Sequence, residues 1–172
     1  MLLMLVMLVM LVMLFRFSTD NGAYFYYNTL PNSTYEDTLV AVKGYADSVG
    51  LPYKYVLLDS WWYYRGENGG VSNWTARPDI FPNGIESLFQ KTGWLVQAHN
   101  RYWAMDTPYA EDNGGSYRFL LDKDRHGSVP LEARFWVDLL KDKKSRWGLA
   151  VYEQVHATLY MVPVTSVAAC YY

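Results

Sequence analysis

The chain has 172 residues, 51% of them hydrophobic and 19% charged, and carries a net charge of -2 at neutral pH. That length and balance fit one globular domain, and the lack of any block of like charges excludes the basic face of a nucleic-acid binder. One cysteine, Cys170, excludes an internal disulfide framework and a multi-cysteine metal site, and no motif calls for a cofactor. The unusual quantity is aromatic content, 17%, with 16 Tyr and 7 Trp. Tyr and Trp join an apolar body to a polar edge, so they serve wet binding surfaces as well as cores.

The chain opens with MLLMLVMLVMLVMLF, 15 apolar residues built on a repeating Met-Leu-Val triplet. As a helix this run reaches roughly 22 Å, short of a hydrocarbon core of about 30 Å. Its length suits the apolar core of a signal peptide, yet no basic segment precedes it and no clear cleavage site follows. Residues 1–17 are therefore expected to form an apolar N-terminal helix acting as a signal or membrane anchor, which would place the protein outside the cell or at a membrane. Low-complexity sequence without a targeting role is the alternative. The sequons at Asn32 and Asn73 are compatible with secretion and add little.

Beyond the leader, apolar runs alternate with helix-like stretches. Ala23–Tyr27 (AYFYY) has the aromatic composition of a strand. Leu39, Val42, Tyr45, Ala46 and Val49 recur at helical spacing, with Ser33 or Thr34 as N-cap and Glu36 or Asp37 in the first turn. Tyr53–Leu58 reads as a buried parallel strand. A loop of more than twenty residues, Asp59–Asn83, follows it, and loops of that length are usually functional or disordered. A short helix, Ile85–Lys91, leads to a third strand at Gly93–Ala98 and a second long loop over His99–Gly115. A helix over Leu131–Arg146 and a strand over Trp147–Tyr152 complete the series.

The predicted fold is α/β: about four βα units with parallel strands, a partial (β/α) TIM barrel spanning residues 18–154. A full barrel takes about 250 residues, so the remainder suffices for half of one. Residues 155–172 form an apolar tail without Asp or Glu. In such barrels the active site lies at the C-terminal ends of the strands. Asp59, His99 and Glu153 each fall at or just past such an end.

Asp59 opens LLDSWWYYRGENGG, which sets Trp61, Trp62, Tyr63 and Tyr64 beside Arg65, Glu67 and Asn68. Together with Phe81-Pro82-Asn83-Gly84-Ile85, Gly93-Trp94-Leu95-Val96 and Ala98-His99-Asn100-Arg101-Tyr102-Trp103, this stretch resembles the α-galactosidase and raffinose-synthase clan of glycoside hydrolases over roughly 23–154. The resemblance implies that Asp59 binds sugar hydroxyls and that Trp61 or Trp62 stacks on a pyranose ring. It implies substrate contacts from His99, Arg101 and Trp103, and an α-linked galactoside or glucoside as partner. The clan uses a retaining mechanism with an aspartate nucleophile after the fourth strand and an aspartate acid/base after the sixth. Glu153 stands near the nucleophile position as the wrong acid, and the acid/base has no counterpart, so a chain without turnover is expected.

Each of these residues also has a plainer reading. Asp59 can cap its loop, His99 can be a satisfied structural histidine, and Arg101 can pair with Asp106. Adjacent Trp61 and Trp62 point opposite ways in an extended segment, one toward the core and one toward the site. Trp74 and Trp103 suit packing as well as a sugar platform, and Glu153 suits a site wall. His126, in the charged stretch DKDRHG, reads as solvated. A metal site on Asp59, His99 and Glu153 lacks any HxH or HExxH spacing, so no metal is assigned. Open barrel edges would favour self-association.

Overall fold

The computed structural model describes residues 15–124 and 127–155. The expectations for the apolar leader before Phe15, the tail after Val155 and His126 lie outside the described residues. Within them, the fold is α/β. A four-stranded parallel sheet runs in the order β1 (Arg16–Ser18), β2 (Tyr55–Leu58), β5 (Leu95–Asn100), β9 (Leu149–Gln154). Helices α1 (Tyr35–Ser48), α2 (Gly84–Thr92) and α3 (Ala133–Trp147) connect successive strands. Chain order and sheet order coincide, as they do when each βα unit adds its strand beside the previous one.

Local sequence accounts for these elements. The Thr34 side chain accepts from the Asp37 amide at 3.1 Å, and the Asp37 carboxylate accepts from the Thr34 amide at 3.3 Å. This reciprocal cap satisfies donors that the first helical turn would leave unpaired. Helix α3 ends at Gly148, whose φ of 65° is the left-handed conformation that glycine adopts without a side-chain clash. Strand residues alternate between faces. Val56, Leu58, Val96 and Ala98 join Leu39, Ile85, Leu88, Phe135 and Leu139 in the core beneath the helices. Leu57, Asp59, Gln97, His99 and Glu153 fall on the opposite register.

Two expectations are corrected. Ala23–Tyr27 is not a strand; the segment turns, with Tyr27 at φ 51°, outside any extended conformation. The first strand lies earlier, at Arg16–Ser18, at the end of the apolar run. Phe17 decides the matter by packing on Tyr53 and Trp94 at centroid distances of 5.9 and 6.0 Å. Aromatic strand propensity at 23–27 yields to that burial.

The second correction concerns the two long loops, which together with residues 116–130 build a second sheet. β3 (Tyr64–Arg65), β4 (Val71–Asn73), β6 (Trp103–Ala104), β7 (Phe119–Asp122) and β8 (Gly127–Pro130) pair in the order β3-β4-β6-β8-β7. Strands of two to four residues carry too little alternation to be read from sequence. The core that holds them is aromatic. Trp103 meets Phe135, Tyr109 and Phe119 in edge-to-face contacts at 5.2–6.4 Å. Trp74 joins Trp62 and Trp147 at 5.2 and 5.8 Å.

Candidate functional site

The strand ends bring together residues that are far apart in the chain. Thr19, directly after β1, donates its hydroxyl to the Leu57 carbonyl at 2.6 Å and accepts from the Trp61 indole at 3.2 Å. It thereby holds the end of β1 against the end of β2. The next residue, Asp20, is exposed, and its carboxyl stands beside the buried carboxyl of Asp59. Two carboxyls in contact cannot both ionise readily. Burial, and then the bond to Asp20, push Asp59 above its usual value, although the Ser60 amide donates to it. The bond to Asp59 holds Asp20 below its own, with the Asn21 amide adding to the effect. The two carboxyls are thereby pushed apart in acidity, the buried member upward and the exposed one downward.

His99, on β5, faces the same corner. Its Nδ1 lies 4.0 Å from Asp59 Oδ1 and 3.0 Å from the Tyr63 hydroxyl. The Tyr63 ring lies parallel to the imidazole. Burial, with the Asp59 charge adding to it, raises the Tyr63 phenol far above neutrality, so this hydroxyl keeps its proton. Tyr63 fixes the imidazole plane, and the Trp74 indole binds the His99 carbonyl at 2.9 Å. Arg65 reaches back to donate to the Ser60 carbonyl at 2.9 Å and lies over the Tyr27 ring.

Of the residues picked from sequence, Asp59 and His99 do meet. Glu153 sits beside His99 in the β5–β9 register, but its Oε2 accepts from the Gln97 amide at 3.0 Å. Gln97 Oε1 in turn accepts from Arg16 at 3.1 Å, so Glu153 belongs to a polar chain across the sheet. Arg101 is partly exposed. Its suggested partner Asp106 instead accepts from the Glu67 amide at 3.4 Å.

The indoles go elsewhere. Trp61 is 3% exposed and stacks on Tyr35 at 3.6 Å, and Trp62 is 0% exposed within the tryptophan cluster. The expectation that one of the two faces a cleft is corrected: the Asp59–Tyr64 loop folds back over α1, so both rings find core. Trp103 is likewise packed in the second sheet. Among the described residues no group of three or more His, Cys, Asp or Glu side chains is placed to hold a metal ion.

Sequence reading noted Tyr63 and Arg65 in the loop after β2 but gave them no site role, and it missed Thr19 and Asp20, which follow Phe15-Arg16-Phe17-Ser18, whose alternation was absorbed into the apolar leader.

The parallel βα sheet thus carries the Asp20–Asp59 carboxyl pair and His99 at its strand ends. No protein-family model matches the chain, and no curated protein matches it. Among solved structures it is similar to the crystal structure of the alpha-galactosidase from Lactobacillus brevis, with a TM-score of 0.55 and 16% identity. The match covers 80% of this chain and 19% of that one. The likeness is one of fold alone.

Proposed function

We propose that this is a carbohydrate-active protein of glycoside-hydrolase type, built as part of a (β/α) barrel, that binds an α-linked galactoside or glucoside at its strand ends. The observation that carries the reading is the Asp20–Asp59 pair beside His99, in a fold like that of an α-galactosidase. Two adjacent carboxyls pushed apart in acidity suit a sugar, because a protonated carboxyl donates to one hydroxyl and an ionised one accepts from its neighbour. Tyr63 and Thr19 keep the histidine and the strand ends in place for that task. The solvent-facing Tyr27 ring, rather than Trp61 or Trp62, supplies an aromatic face next to Ser60.

The described residues support binding better than turnover. A retaining glycosidase needs two carboxyl groups about 5–5.5 Å apart on opposite sides of the scissile bond. Asp20 and Asp59 stand side by side, and Glu153 is engaged by Gln97. The retaining mechanism is therefore assigned to complete relatives and a binding role to this chain; a fragment without function is the second reading. Among the described residues no strand pairs with the outer edges of β1 and β9, which favours self-association. No helix among them is long and apolar enough to cross a membrane. Export or membrane attachment through the apolar leader remains part of the proposal.

Titration with galactose, glucose and raffinose, followed by tryptophan fluorescence, tests the reading. At least one sugar is expected to give a saturable change at millimolar concentration, lost in Asp59→Ala. No response to any of them at tens of millimolar would leave the fragment reading. Hydrolysis of nitrophenyl α-galactoside that disappears in Glu153→Gln would overturn the assignment of a binding role alone.

A further inference from the structure

The sequence contains four Asn-Gly pairs, at residues 21–22, 68–69, 83–84 and 113–114. Asparagine is chemically labile, and a following glycine leaves the next amide nitrogen unshielded by any side chain. The fold restrains three of the four pairs. Asn83 donates its side-chain amide to Glu36 at 3.3 Å, and the Gly84 N–H donates to the Phe81 carbonyl at 3.0 Å. Asn113 donates its side-chain amide to the Met105 and Thr107 carbonyls at 2.7 and 2.8 Å, and the Gly114 N–H donates to the Glu111 carbonyl at 3.0 Å. At the third pair the Gly69 N–H donates to the Gly66 carbonyl at 3.3 Å, and the Asn68 carbonyl accepts from the Tyr102 hydroxyl.

Asn21 and Gly22 differ. Both are exposed. They are the central pair of a turn closed by the Ala23 amide on the Asp20 carbonyl at 2.9 Å, with Gly22 at φ 90°. A turn with positive φ at its third position calls for glycine there, and its closing bond does not use the N–H of the central peptide. Nothing among the described residues stands within 4 Å of where a Cβ on Gly22 would lie. The turn directly follows Thr19, and the Asp20 carboxylate accepts from the Asn21 backbone amide at 2.6 Å. The exposed pair therefore adjoins the carboxyl corner at the strand ends.

We propose that Asn21 is a site of spontaneous deamidation, at which the folded chain acquires a further carboxylate one residue after Asp20. The Gly22 amide nitrogen attacks Asn21 Cγ and forms a cyclic imide. The bond from Cγ to the side-chain nitrogen breaks, and that nitrogen leaves as ammonia with the proton from Gly22. Water then adds to either imide carbonyl, and the ring opens to aspartate or isoaspartate. Nothing is oxidised or reduced, and water is the sole co-reactant. The isoaspartate product also lengthens the backbone by one methylene, directly after the segment in which Thr19 clamps β1 to β2. This inference stands apart from the carbohydrate reading and does not require a bound sugar.

Ageing the full chain in mildly alkaline buffer made with heavy-oxygen water, followed by peptide mapping in a mass spectrometer, tests the inference. The peptide holding Asn21 is expected to take up the label first, and an acidic species should grow on anion exchange at the same rate. Asn83 and Asn113 must first give up their hydrogen bonds, so they are expected to react about tenfold more slowly, with Asn68 between. In concentrated urea those bonds are gone, and the four pairs should react at similar rates. Asn21→Gln should abolish the early acidic species. Label entering Asn68, Asn83 or Asn113 as fast as Asn21 in the folded chain would overturn the inference, as would an Asn21 that stays intact. An order that persists unchanged in urea would overturn it too, because neighbouring sequence rather than the fold would then set the rates.

Discussion

Trp61 lies flat on Tyr35, ring centroids 3.6 Å apart and planes within 9°, with its indole N–H on the Thr19 hydroxyl. One indole therefore joins α1, the end of β1 and the loop after β2. Trp61→Ala would empty a fully packed site and is expected to destabilise the fold by about 3–5 kcal/mol, read as a lower urea midpoint. A side chain used for sugar stacking would behave differently: the variant would keep its midpoint and lose only affinity.

Asp59 tests the carboxyl pair. Its folded value is raised, so protonation of the native state favours folding at acid pH, and that contribution is lost as pH rises through the folded value. Asp59→Asn keeps an acceptor for the Ser60 amide and never ionises. Its melting temperature is expected to match that of the unaltered protein near pH 4 and to equal or exceed it at pH 7. Sugar affinity should fall at both. A variant markedly less stable at pH 7 would show that Asp59 is ionised in the native state.

Glu36 behaves oppositely. The side chain is buried on α1 and accepts from Lys91 and Ser87, each at 2.6 Å, and from the Asn83 amide at 3.3 Å. Desolvation raises its value, but these donors outweigh it and the net shift is downward. The stabilisation is complete above the ordinary glutamate value and is lost as pH falls through the lowered one. Glu36→Ala should cost about 2–3 kcal/mol at pH 7 by stranding its donors. The difference should shrink in denaturant melts below about pH 4.

Gly70 is a position of close approach. A Cβ there would stand 2.7 Å from the Tyr102 ring and 3.0 Å from the Ala104 backbone. Gly70→Val is expected to detach β4 from β6. Faster amide exchange at Val71, whose N–H binds the Tyr102 carbonyl at 2.6 Å, would report it, while the strands of the parallel sheet keep their protection.

The FPNG turn shows how far the sequence could be read. Phe81–Gly84 was legible as the opening of a helix, and α2 does begin at Gly84. What the turn does was not legible. Phe81 packs near Trp61, and Asn83 donates to Glu36, 47 positions earlier. The candidate site divides in the same way. Asp59 and His99 could be placed at strand ends from the run of elements alone. Asp20 could not, because its partner is 39 positions away and the strand before it merges with the apolar leader.

Local signals determined the three helices and three strands of the parallel sheet: helical spacing with a Thr34 cap, apolar runs for β2, β5 and β9, and a turn before α2. Those signals act over a few residues, through backbone hydrogen bonds and side-chain periodicity, so they survive without tertiary contacts. Tertiary structure alone decided which aromatic rings are buried and which charged groups meet. Burial and charge pairing depend on what arrives from other strands, and that depends on how the loops between them fold back.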